Sequence, residues 1–130
     1  MRSEPAYRVY PWWPENGDSW VHPDDVRLAR RLIPSTRVFR RAGREGDYLV
    51  LSYGKWRLRV KPTLRQAIPG DGFNLGDRVE VCSRMGKNRA MVATIGGMYW
   101  NARYRAIEYR LRRRDMTLAR RYTAEDLRPA

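Results

Sequence analysis

Apolar and polar positions alternate with a period of two through much of this chain, and that period predicts strands. The clearest run is Lys55-Trp56-Arg57-Leu58-Arg59-Val60-Lys61. Trp56, Leu58 and Val60 face one way there, and Lys55, Arg57, Arg59 and Lys61 the other. Upstream, Arg37 to Arg41 and Asp47 to Tyr53 read as strands joined by a turn at Gly43–Gly46, and Gly54 permits a tight reversal. Downstream come Arg78–Ser83, Ala90–Ile95, Ala106–Arg112 and Thr117–Tyr122, with turns at Gly86 and Gly96-Gly97. Ile107, Tyr109 and Leu111 share a face opposite Arg110 and Arg112. The phase breaks against Tyr104, which predicts a bulge near Arg105. Ile68-Pro69-Gly70-Asp71-Gly72 reads as a connector.

A helical period occurs once, over residues 23–33. Pro23 suits the first helical position, Asp24 and Asp25 complement the positive end of the dipole, and Arg30 and Arg31 fall in the last turn. Val26, Ala29 and Ile33 form a docking stripe, and Pro34 stops the helix. Before it, Tyr7 to Trp20 holds the Tyr10-Pro11-Trp12-Trp13-Pro14 core of an extended, aromatic, Pro-rich strap. Its tryptophans (Trp12, Trp13 or Trp20) either plug the end of a barrel or form an exposed stacking platform. The expected fold is mainly β: the strap, one short helix, and then one or two small barrels. Residues 1–36 would be strap and helix, 37–69 a first β unit and 70–130 a second, packed as one globule.

Charge changes this picture from fold to partner. The net charge is +13, with 27 basic against 14 acidic residues. Residues 1–36 carry five of each sign, so the excess falls on residues 37–130. All but three of the basic residues (Lys55, Lys61 and Lys87) are arginine. Such a field attracts polyanions, and the guanidinium fork suits phosphate. Arginine bias also follows from GC-rich coding, so the count by itself is not a site. A single cysteine, Cys82, excludes an internal disulfide and suits a reducing compartment. No apolar run reaches the roughly 20 residues of a membrane span, and the N-terminus lacks the apolar stretch of a secretory signal. The expectation is a cytoplasmic protein.

Catalysis finds little support. His22 is the only histidine and sits where a helix would be capped, and no sequence pattern brings it to Cys82. Asp24 and Asp25 are adjacent on a helix start, where dipole electrostatics account for both. No His, Cys or carboxylate set has metal-ligand spacing, so neither metal nor cofactor is expected.

The C-terminal half resembles an Agenet or Tudor-like module of the Royal superfamily of SH3-like barrels. The likeness runs from Phe73 to Pro129. It rests on Phe73-Asn-Leu-Gly76-Asp77-Arg-Val79-Glu-Val81, Ala90-Met91-Val-Ala93-Thr-Ile95, Tyr104 to Tyr109, and Glu125-Asp126-Leu127-Arg128-Pro129. It implies a five-stranded, strongly bent antiparallel barrel. Tyr48 and Tyr53 stand five apart, as do Tyr104 and Tyr109, and Leu64-Arg65 and Leu127-Arg128 follow them. That echo fits a diverged tandem pair; a single barrel on an extended sheet fits as well. The family's methyl-lysine readers enclose the cation in aromatic faces. Here the loop Arg84–Arg89 has no aromatic, and Met91 stands where such repeats carry Trp. Tyr99, Trp100 and Tyr104 remain as walls, in a field that repels cations.

Two arginine-rich patches carry the functional expectation. One is Lys55, Arg57, Arg59 and Lys61 on a single strand face, read either as a solvated outer face or as a polyanion surface. The other is Arg110, Arg112, Arg113 and Arg114, with Arg120 and Arg121 across a hairpin near Asp115-Met116; its bland counterpart is a flexible basic loop. Tyr99 and Trp100, after the glycines, are the candidates for base stacking. The reading is non-catalytic, salt-sensitive binding of RNA or DNA, directed mainly to the backbone. A protein-interaction adaptor that binds a peptide or a methylated residue is the alternative.

Overall fold

The computed structural model describes residues 7–13, 15–62, 67–82 and 91–130. The chain divides into two units, Met1–Gly70 and Asp71–Ala130, each built on one five-stranded antiparallel sheet.

In the first unit, β1 (Tyr7–Val9) lies between β2 (Val38–Glu45) and β5 (Ala67–Ile68); β3 (Tyr48–Tyr53) and β4 (Trp56–Val60) complete the order β4-β3-β2-β1-β5. The segment expected to be a strap therefore begins as an interior strand, and part of the expected connector is the strand that pairs with it. The turns are shorter than the glycines suggested. Glu45 pairs with Tyr48 and Tyr53 with Trp56, which leaves two-residue loops that open on Gly46 and Gly54, both with positive φ. Gly43 lies within β2, at a bulge between Arg41 and Gly43. Pro23–Asp25 form one turn of 3-10 helix, and α1 (Val26–Leu32) follows. Ala29 and Leu32 bury there beside Ile33. Phe39, Leu49, Leu51, Leu58 and Val60 form the core beneath, and the strap residue that fills it is the fully buried Tyr10. Burial pushes the Tyr10 phenol above its usual range, partly offset by the nearby charge of Arg8. Trp12 and Trp13 stay outside. Trp12 is 41% exposed, and Trp13 lies against Gly17, where an added Cβ would clash with its ring.

In the second unit the order is β10-β6-β7-β8-β9, from β6 (Arg78–Val81), β7 (Met91–Asn101), β8 (Ala106–Arg113), β9 (Met116–Tyr122) and β10 (Leu127–Pro129). Gly96-Gly97 is not a turn. It sits inside the 11-residue β7, where a bulge between Ile95 and Gly97 lets the strand continue. Nor is there a bulge at Arg105; it ends the turn between β7 and β8 with φ 50°. One turn of 3-10 helix, Ala124–Asp126, precedes β10, and the Asp126 carboxylate accepts from the Thr123 N–H at 3.1 Å. Val79, Ile95, Ile107, Tyr109, Leu111 and Leu127 form the core. The fully buried Tyr109 donates its hydroxyl to Asp71 at 2.8 Å and meets the ring of Phe73 edge-on.

The two sheets share one topology. In each the fifth strand pairs with the first, and strands two to four follow in order. In each, too, a glycine-bearing bulge interrupts the pairing of the second strand with the third.

Candidate nucleic-acid interface

The row of four cations in the first unit is not a row in the fold. Lys55 lies in the two-residue turn, with its ammonium 5.9 Å from the Trp56 ring. Lys61 lies beyond β4; its N–H donates to the Trp20 carbonyl at 2.8 Å, and its exposed side chain borders a groove of about 410 Å³ beside Trp20. Only Arg57 and Arg59 stand on the strand face.

Arg59 is engaged internally. Its Nε and Nη2 grip the two oxygens of Asp25 at 2.8 and 3.1 Å, its own N–H donates to Asp25 Oδ2 at 2.9 Å, and Nη1 reaches Glu45 at 3.3 Å. The Arg59 bonds hold the Asp25 carboxyl below the usual range, and the pair raises the guanidinium further. Asp25 is thus a clamp across the fold rather than a helix-start charge. Sequence spacing had no means of showing this, because the partners stand 34 residues apart. Arg57 is exposed in a row with Ser52 and Arg40 across three strands, and it borders a groove of about 510 Å³ over Gly43 and Val50. His22 caps the 3-10 turn, accepting from the Asp24 N–H at 3.1 Å.

In the second unit β8 alternates buried and half-buried positions up to Leu111, and then Arg112 and Arg113 are both exposed. Arg113 occupies the phase of Ile107, Tyr109 and Leu111, so the ribbon runs past its core at that point. Arg112 pairs with Thr117 and Arg113 with Met116, across a two-residue loop of Arg114 and Asp115. Residues 112–120 are exposed on both faces except for the half-buried Leu118. These residues form the exposed end of the β8–β9 hairpin, an arm flanked by β7 as far as Arg112, which pairs with Thr94. Arg112, Arg113 and Arg114 pair with no acidic side chain among the described residues, and neither does Arg120, whose guanidinium lies 5.0 Å from the Tyr122 ring.

At the base of the arm Arg110 and Arg121 face one another across the strands. Arg121 stacks 4.4 Å over Tyr99 and reaches Glu108 at 3.3 Å, while Arg110 keeps a buried, unpartnered Nε. Tyr99 also folds onto Gly97. Its ring is sandwiched, which removes the open face that base stacking needs. Trp100 points to the other side of β7, opposite the buried Ile107, and is half-buried. Neither follows a flexible turn, and being on opposite faces they do not wall one cage. Tyr104 is 71% exposed, in the turn before β8, with Arg103 5.5 Å from its ring. The loop 84–89 and the Leu64-Arg65 echo lie outside the described residues.

No helix among the described residues is long and apolar enough to cross a membrane, and no three potential metal ligands gather among them. Cys82 is half-buried, and its N–H donates to the Asp126 carbonyl at 2.7 Å.

Residues 1–128 match a family described as a family of unknown function, DUF6960. The chain belongs to the DUF6960 family. No curated protein matches it, and no solved structure does. In this DUF6960 chain Arg112, Arg113, Arg114 and Arg120 stand exposed together at the β8–β9 hairpin.

Proposed function

We propose that this DUF6960 protein binds nucleic acid without catalysis, chiefly through the arm at residues 112–120. The observation that carries the reading is the pair of solvated faces bearing Arg112, Arg113, Arg114 and Arg120, against Asp115 alone. The hairpin is paired with β7 up to Arg112, and the pairing with a third strand ends there. Its four unpaired guanidinium groups are placed for phosphate oxygens. Arg110 and Arg121 extend the charge towards the sheet, and Arg57 with Arg40 offers a weaker patch in the first unit. The strand order of the second unit, with its 3-10 turn before the last strand, supports the SH3-like, Tudor-like reading of its fold. An adaptor role has one observation in its favour, the exposed Trp12 of the strap.

Fluorescence anisotropy with labelled nucleic acids, with heparin as the competing polyanion, tests the reading. The R112Q/R113Q/R114Q/R120Q variant should lose at least tenfold in affinity while its circular dichroism is unchanged. K55Q/R57Q/K61Q should lose much less. Equal affinity of the arm variant and the parent, or binding ranked only by polyanion charge density, would overturn the proposal.

A further inference from the structure

We infer that the arm is built for duplex DNA and enters its major groove. The inference rests on the nucleic-acid reading above and names the ligand class. Single-strand binders hold bases on open aromatic faces. In the second unit Arg121 and Gly97 sandwich Tyr99, Tyr122 is buried under Arg120, and Trp100 is half-buried on the core side. Tyr104, the exposed ring, lies at the opposite end of β8 from Arg112–Arg114. The cationic end of the ribbon thus has no stacking platform among the described residues.

What that end does have is charge on both faces. Arg112 and Arg113 are successive strand residues and point in opposite directions, with Arg114 at the tip. A ligand that meets both faces at once must wall the arm on two sides with anions. The B-DNA major groove, about 12 Å wide between phosphate walls, admits a two-stranded ribbon such as the tip beyond Arg112, where β8 is no longer paired with β7; its minor groove, about 6 Å wide, does not. The A-form RNA major groove is deep and narrow, and closes to an element of this width. Met116, 72% exposed at the tip on the face of Arg113, is the apolar side chain that would reach base edges.

The test measures the full chain against a 20-base-pair DNA duplex, the RNA duplex of the same sequence and each DNA single strand. Four phosphate contacts give a slope of about −3.6 in log K against log salt, so DNA affinity should fall about 50-fold between 100 and 300 mM salt. Each arginine-to-glutamine change in the arm should lessen the slope by about 0.9. Dimethyl sulfate footprinting should show protection of guanine N7, which lies in the major groove. DNA duplex affinity at least tenfold above RNA duplex and single strands, with N7 protection, supports the inference. Equal or greater affinity for RNA duplex or single strands, or unprotected N7, overturns it while leaving nucleic-acid binding intact. Binding to none of the probes overturns both.

Discussion

At the scale of single residues, a half-buried ion pair and a buried arginine are handled in opposite ways. Asp25 and Arg59, with 16% and 23% of their side chains exposed, satisfy one another and the strand backbone. Asp25→Asn should destabilise the fold by about 1 kcal/mol, a charge-assisted bond partly screened by solvent. The folded pKa of Asp25 lies below its ordinary 3.8, so the clamp contributes in full above that value and is lost as pH falls through the depressed one. Thermal melts from pH 6 down to pH 2 should show parent and variant converging at the acid end; a gap that stays constant would contradict the clamp. Arg8 is the opposite case. It is 3% exposed, stands opposite Phe39 and Ala67, and has no partner for Nε or Nη1. Replacing an unsatisfied buried charge with an apolar side chain of similar length removes a desolvation penalty. Arg8→Met should therefore raise stability by about 1–3 kcal/mol, read as a higher midpoint in denaturant. The sequence showed Asp25 only as a helix-start charge and Arg59 only as one of a cationic row, and it did not mark Arg8, because side-chain pairing across the chain leaves no local pattern.

Elements were more legible, as far as local alternation reaches. Trp56, Leu58 and Val60 do share the inward face of β4, and Ile107, Tyr109 and Leu111 that of β8. Glycine was the misleading signal. Gly43 and Gly96-Gly97 bend strands rather than end them, since a bulge and a turn ask for the same residue type. Arg114 is the converse case, a turn without glycine: it takes the first position of a two-residue loop with φ 57°, in the hairpin expected near Asp115-Met116. The first unit places Gly46 and Gly54 at the equivalent positions, with φ 57° and 59°. A non-glycine side chain there costs roughly 1–2 kcal/mol. An arginine kept against that cost, at the tip of a cationic arm, is the local conflict expected of a binding element. Arg114→Gly should raise stability by about 1 kcal/mol and weaken DNA binding several-fold. A variant that gains stability and keeps its affinity would make Arg114 a neutral loop residue.

For the whole molecule, the charge asymmetry along the sequence disappears in the fold. Residues 1–70 hold 14 basic and seven acidic side chains and residues 71–130 hold 13 and seven, so the units carry +7 and +6. The acids near the N-terminus are not a separate neutral segment. Asp18 and Asp25 bind Arg30 and Arg59 inside the first unit, while Glu80 and Glu108 engage Arg128 and Arg121 in the second and leave the arm uncompensated. Each unit also has its own five-stranded sheet and its own buried apolar residues. Residues 71–130 should therefore fold alone, with a cooperative but lower thermal transition, because about 60 residues bury too little surface for more. The cut matters. A chain starting at Asp71 retains the carboxylate that accepts from the Tyr109 hydroxyl at 2.8 Å, whereas one starting at Phe73 loses that bond and should melt lower. If the arm is the site, the 71–130 fragment keeps most of the duplex affinity and the 1–70 fragment little. Circular dichroism melts and anisotropy on the three fragments separate these points. An unfolded 71–130 chain would show that its core depends on the first unit. A folded one that fails to bind, beside a 1–70 fragment that does, would transfer the site to Arg40 and Arg57.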